Sequence, residues 1–341
     1  MLFAFLLPGV GLLYLGYGYF IAHNDAHRAF FEYQPFMFYL SAMFPLILLR
    51  VETDAEYVLK VIVYSGLAYL PILLLQFFIL KMTGIIFLPG VEDIGKEWLG
   101  ATGRFVPDAQ DVVLLVSIYL YWKVVRELNA RNLIAAVLSV VALLLTYSRG
   151  LWLSYVIGFV FVSWHEKRFF LKRFHTLPLL AAACGAVVIF IYMSGLSDSI
   201  LHRFGMMSTS AVSTDMSLKW RVYEIKEAIR AIEASPVIGH GLGYEYHRPF
   251  AFVSDSFYFH NNYLFLLVKM GLPGFLAMLA FIVVFIKTAL AVYKEYAGNN
   301  LVSGVAIASA AYMTAMSFAV MARSAFVTTT NTVALISVIF G

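Results

Sequence analysis

Long apolar runs, interrupted by short groups of Gly, Pro and charged residues, predict about ten membrane crossings along this chain. They lie near 1–22, 35–49, 58–80, 111–125, 132–147, 150–164, 176–193, 263–287, 300–322 and 324–341, each read against the roughly 20 apolar residues that a spanning helix needs. The two runs that meet at Thr146-Tyr-Ser-Arg-Gly150 read either as two helices or as one long broken helix. One long stretch, 194–262, has a different texture, with acidic, basic and histidine residues among Gly and Ser. Within it Leu218, Val222, Ile225, Ile229 and Ile232 recur at helical spacing, which predicts an amphipathic helix over 217–234. Ser217 or Asp215 is the candidate cap and Pro236 the stop. Arg221, Lys226, Glu227, Arg230 and Glu233 lie off the stripe, so this helix is expected to rest on the membrane or the bundle with its charges outward. Gly239-His-Gly-Leu-Gly243 reads as a flexible turn after it.

Composition agrees with the pattern. The 341 residues are 62% hydrophobic and 13% charged, whereas roughly a quarter of a soluble chain is charged. The fold class is therefore all-α, a polytopic transmembrane helix bundle with one long external loop that carries an amphipathic helix. It divides into a first bundle (1–193), the loop (194–262) and the last helices (263–341), with membrane lipids as neighbours. The first apolar run has no small-residue cleavage site and is expected to stay as a span. Lys123, Arg126 and Arg131 mark one short loop, and Lys167, Arg168, Lys172 and Arg173 another. Both should face the cytoplasm, which puts 194–262 outside. The single Cys184 excludes an intrachain disulfide framework and a thiolate metal cage. A net charge of +4, scattered along the chain, gives no nucleic-acid surface.

Three residues stand out chemically. Arg149 interrupts two apolar runs, where an arginine at membrane depth costs several kcal/mol. It reads either as a clamp for an anion, phosphate above all, or as a snorkelling side chain at a helix end. Arg221, next to Trp220, reads either as a cation of the external mouth or as a surface partner of Glu224 one turn on. Arg203, Lys219 and Arg248 add positive charge to the same loop. His260 directly precedes the return into the membrane, as a proton acceptor for a hydroxyl or as an interfacial residue beside the real cap, Asn261 or Asn262. His240 and His247 are alternatives to it. Phe250, Phe252, Phe257, Tyr258 and Phe259 suit either sugar stacking or an interfacial belt. No phosphate-binding glycine loop, Asp-x-Asp pair or Gly-x-Ser-x-Gly elbow occurs, and the histidines lack the spacing of a helical metal site.

Taken in order, Tyr147-Ser-Arg-Gly-Leu-Trp152, Trp220-Arg221 with Ser235-Pro-Val-Ile-Gly-His-Gly-Leu-Gly243, His260-Asn-Asn-Tyr-Leu264 and Gly271-Leu-Pro-Gly274 resemble the O-antigen ligase family, across roughly 130–290. That superfamily also holds O-antigen polymerases and protein O-oligosaccharyltransferases. The resemblance implies a multi-pass enzyme of the bacterial inner membrane that moves a glycan from undecaprenyl diphosphate to an acceptor hydroxyl on the periplasmic side. The acceptor is a glycan, a lipid core or a protein, and neither metal nor cofactor is implied. By motif, Arg149, Arg221 and His260 match the family's functional positions, with Arg203, Lys219 and Arg248 as further substrate-binding candidates. The competing reading is a non-enzymatic permease or flippase for an anionic lipid or lipid-linked glycan. Such a carrier would need the cations but not the histidine.

Overall fold

A computed structural model of the chain describes residues 2–43, 45, 52–87, 91–94, 104–107, 110–146, 148–167, 192, 216–246, 259–321, 326 and 330–340. Ten helices are labelled here: α1 (Leu2–Phe20), α2 (Ala26–Phe38), α3 (Glu52–Thr83), α4 (Gln110–Arg126), α5 (Ala130–Leu145), α6 (Arg149–His165), α7 (Met216–Ala234), α8 (Asn262–Glu295), α9 (Asn300–Ala319) and α10 (Thr330–Phe340). Three of them, α3 over Asp54–Leu80, α8 and α9, are long and apolar enough to cross a membrane among the described residues. Helices α1 and α5 carry shorter apolar runs, Phe5–Phe20 and Ala130–Leu145. The helices start where short polar side chains precede apolar runs. Asp25 caps α2 by accepting from the Arg28 amide at 2.9 Å, and Asn129 caps α5 by accepting from the Asn132 amide at 2.8 Å, each satisfying an amide that has no partner within its helix.

The helical architecture agrees with the sequence, and three local expectations change. Residues 91–94 and 104–107 pair as a two-stranded antiparallel ribbon, β1 (Val91–Ile94) and β2 (Arg104–Pro107), with Val91 opposite Pro107, between the crossings expected near 58–80 and 111–125, where no regular element was expected. Of the crossing expected over 35–49, residues 35–43 and 45 are described, and they are not one continuous helix. The Asp25 cap starts α2 earlier, at Ala26, and the helix ends at Phe38 in a 3-10 turn, Tyr39–Ala42. Ser217 lies inside α7 and so does not cap it; Asp215 is outside the described residues. So are Cys184, the crossing expected over 176–193 apart from residue 192, Arg203, His247, Arg248, and Phe250 to Tyr258. The stop at Pro236 is as expected, since α7 ends two residues before it.

The chain forms two compact units. One comprises Thr53–Ser208 and Thr288–Ala315. In it the Glu166 carboxylate, 1% exposed, accepts from Trp122 Nε1 at 2.7 Å, Arg126 Nε at 2.8 Å and the Tyr293 hydroxyl at 2.7 Å. A buried charge is tolerable only when it is paired and hydrogen-bonded, and here three donors draw together the ends of α4, α6 and α8.

The other unit comprises Met1–Glu52, Thr209–Lys287 and Met316–Gly341. Its centre is again ionic. Lys269, fully buried on α8, donates from Nζ to Glu32 Oε1 at 2.6 Å and also to the Tyr244 carbonyl. The second oxygen of Glu32 accepts from the Gly243 amide at 2.7 Å. One buried node therefore ties α2, α8 and the segment after α7 together. Tyr39 supports the same unit by donating to the Phe326 carbonyl at 3.1 Å and packing edge-on against Phe281.

Candidate functional site

The described site lies within the second unit and grows from the start of α8 and the middle of α7. Helix α8 begins after Asn261, whose Oδ1 accepts from the Tyr263 and Leu264 amides at 2.9 and 3.1 Å. Asn261 is thus the cap, and Asn262 is the first helical residue, its amide donating to the Val320 carbonyl at 2.9 Å. His260 is left immediately outside the helix, held in place but not used in capping.

What holds it is Glu224, from the middle of α7. His260 Nδ1 is 2.9 Å from both carboxylate oxygens, and the His260 amide donates to Oε2 at 3.3 Å. Glu224 is buried while the His260 side chain is about one-third exposed. A carboxylate only accepts, so Nδ1 carries the proton and Nε2 is the basic nitrogen of the neutral ring. The Tyr246 hydroxyl makes a longer contact to the same carboxylate, 3.5 Å. Phe259 is 1% exposed beneath the Tyr246 ring, so it builds the site's wall rather than a platform for sugars. Burial first, and the Glu227 carboxylate second, hold the Tyr223 and Tyr244 phenols above their ordinary pKa.

Arg221, Glu224, Ile225, Phe259, His260, Asn261, Leu264 and Met321 line one pocket. Arg221 and Glu224 are one turn apart on α7, the spacing of an ordinary surface pair. The structure instead commits Glu224 to His260 and sets Arg221 beside them. Sequence reasoning missed Glu224 in this role, although a signal existed. Glu224 shares a helical face with Trp220, Ala228 and Ala231, and all four are buried. An acid aligned with small residues and a tryptophan is on a packed face.

The stripe expected to rest on the membrane or the bundle is open at three of its positions. Val222, Ile225 and Ile229 are all more than 40% exposed. Lys219 is exposed as well and does not line the pocket.

The glycine segment after α7 is a lock and not a flexible turn. The amides of His240 and Gly241 donate to the Val268 and Lys269 carbonyls of α8, both at 2.8 Å, and the Leu272 amide donates to the Val237 carbonyl at 3.0 Å. Asn24 Nδ2 donates to the His240 and Leu242 carbonyls at 2.8 and 2.9 Å. Gly241 has a φ of 81°, and a Cβ there would lie 2.5 Å from the Gly18 Cα. At Gly271, where α8 leaves helical geometry with a φ of 57°, a Cβ would lie 2.1 Å from the Val237 oxygen. These glycines permit backbone to approach backbone. His240 is consumed in the same lock, its Nε2 2.8 Å from the Ala231 carbonyl and its ring stacked on Tyr244.

Arg149 belongs to the other unit, where it is the first residue of α6 and half-buried. Its N-cap, Ser148, is extended and gives no side-chain hydrogen bond to the helix start. A cation at that position adds to the positive end of the helix dipole, and an anion bound there relieves both. Among the described residues, nothing lies within 4 Å of where a Cβ on Gly150 would stand. Among the described residues, no group of three His, Cys, Asp or Glu is placed to hold a metal ion.

Residues 134–279 match the family model described as O-antigen ligase. That span includes Arg149, Arg221, Glu224 and His260. No curated protein matches the chain.

Proposed function

We propose that this chain, whose residues 134–279 assign it to the O-antigen ligase family, takes a glycan from undecaprenyl diphosphate and joins it to an acceptor hydroxyl on the periplasmic face of the bacterial inner membrane. The family and the apolar helices make it a membrane glycosyltransferase of the ligase or polymerase type. The observation that carries the finer reading is His260, fixed through Nδ1 on the buried Glu224, in a pocket that also contains Arg221.

In this reading His260 Nε2 takes the proton of the acceptor hydroxyl as its oxygen attacks the anomeric carbon. The bond from that carbon to the diphosphate oxygen breaks, and the electron pair leaves with the diphosphate. Glu224 stabilises the imidazolium that forms. Arg221 faces the negative charge developing on the leaving group, where a fixed cation in a low-dielectric pocket is worth more than one in water. Arg149 is assigned the same task from its helix start. A single displacement of this kind inverts the anomeric centre. The apolar side of the pocket, Ile225, Leu264 and Met321, suits a donor whose diphosphate is joined to a hydrocarbon.

The test is to incubate the purified protein with undecaprenyl-diphosphate-linked glycan and candidate acceptors, without added metal or nucleotide, and to look for product by mass. Product with the acceptor mass increased by the glycan supports the reading. Movement of the lipid across a vesicle membrane without any product would replace it with that of a carrier.

A further inference from the structure

Helix α7 has three faces. At about 3.6 residues per turn, Trp220, Glu224, Ala228 and Ala231 fall on one arc and are buried. Lys219, Lys226, Arg230 and Glu233 fall on a second and are exposed. Val222, Ile225 and Ile229 fall on the third and are 42, 42 and 47% exposed. Water explains the second arc and protein packing the first, but neither explains the third. A helix in a closed water-filled loop would gain by burying those side chains, at about 25 cal/mol per Å² of apolar surface.

The surface continues past the helix. Val237 and Ile238 are 61 and 53% exposed, and Val237 is bonded through its carbonyl to the Leu272 amide, where α8 resumes after its kink. Leu272 and Leu276, on this helix long enough to cross a membrane, are themselves 44 and 51% exposed. Exposed apolar side chains thus run from α7 through Val237 and Ile238 onto a spanning helix. The charges agree: the arc beside the stripe holds three cations and one acid, the arrangement of a helix whose basic side chains reach lipid phosphates while its apolar arc enters the acyl region. Arg221 and Ile225 sit where the apolar arc meets the buried one.

We propose that the face formed by Val222, Ile225 and Ile229, continued by Val237 and Ile238, lies in the acyl region of the lipid bilayer, so that α7 is an interfacial membrane helix and not a lid in water. This holds whether or not the reaction proposed above is correct. Cys184 is the chain's one cysteine, so a Cys184→Ser background allows single spin labels at Val222→Cys, Ile229→Cys, Ile238→Cys, Lys226→Cys and Arg230→Cys. The full chain is placed in vesicles of phosphatidylethanolamine and phosphatidylglycerol, and collisions of each label with oxygen and with a water-soluble nickel chelate are compared. Oxygen collisions several-fold above nickel collisions at 222, 229 and 238, with the reverse at 226 and 230, are the expected result. Nickel access at 222, 229 and 238 would make α7 a water-exposed lid, and exclusion of both reagents there would mean that protein covers the face; either overturns the proposal. As a check on the unsubstituted protein, a phospholipid with a diazirine at its acyl terminus should label Val222 and Ile229 and spare Lys226 and Arg230. Absence of label on α7, with label on α8 present, would overturn it equally.

Discussion

Glu224 reaches His260 at both its ring and its backbone: Nδ1 lies 2.9 Å from either carboxylate oxygen, and the amide donates at 3.3 Å. The carboxylate therefore sets the histidine's position, its ring orientation and its tautomer. Glu224→Gln keeps the size of the side chain but removes the charge that stabilises an imidazolium. The turnover number should fall on the order of 10²-fold or more, within the usual contribution of proton transfer, while the KM for the lipid-linked donor changes little. Steady-state kinetics on vesicle-reconstituted protein checks this. An unchanged turnover number would reduce Glu224 to a packing role.

In the proposed reaction Arg149 and Arg221 are each assigned to charge on the leaving group. Arg149→Ala and Arg221→Ala should each slow transfer on the order of 10²–10³-fold, the usual loss when one preorganised stabiliser of developing charge is removed. Lysine should restore little, because it supplies a point charge without the planar fork. If both grip the same diphosphate, the double variant should lose less than the product of the two single losses. Fully multiplicative losses would indicate that they act on separate groups.

The Lys269–Glu32 pair should be strongly asymmetric in its response to substitution. Lys269→Met alone leaves the buried Glu32 carboxylate without its cation and should destabilise the protein by about 3–5 kcal/mol. Lys269→Met combined with Glu32→Leu removes both charges and should recover much of that loss. Thermal unfolding in detergent measures it, and equal Tm values for the single and double variants would contradict the account.

Two glycines should behave oppositely. Gly241→Ala forces a side chain into a left-handed conformation against the Gly18 Cα and should lower the Tm sharply. Gly150→Ala meets nothing within 4 Å among the described residues and should leave the Tm within the scatter of a surface change, about 0.5 kcal/mol. Similar losses at both sites would mean that the glycine segment is not the lock described above.

How much of this was legible beforehand depended on the range of the interactions. The helical character, the span of α7 with its stop before Pro236, and the place of His260 at the head of α8 follow from local periodicity and local breakers, which a sequence displays. The role of Glu224 does not, because i,i+3 spacing to Arg221 looks the same on a surface and in a packed helix. What decided it was a partner 36 residues away. The same holds for Gly239-His-Gly-Leu-Gly243, where three glycines read locally as freedom. They serve close packing instead, because Gly18, Asn24 and the carbonyls of Val268 and Lys269 meet them. The stripe of α7 was found correctly as a stripe, but periodicity cannot say whether an apolar face meets protein or lipid. Nothing local marks Glu32, and it is Lys269, distant in the chain, that explains its burial.

The central claim is that the imidazole of His260 accepts the acceptor's proton, and chemical rescue tests it most directly. Transfer by His260→Ala is measured with purified, vesicle-reconstituted protein, undecaprenyl-diphosphate-linked glycan and acceptor, with and without imidazole in the buffer. The expected result is a loss on the order of 10²–10⁴-fold that added imidazole partly reverses, with the rescue rising as imidazole is titrated. Transfer by His260→Ala at the wild-type rate would contradict the claim.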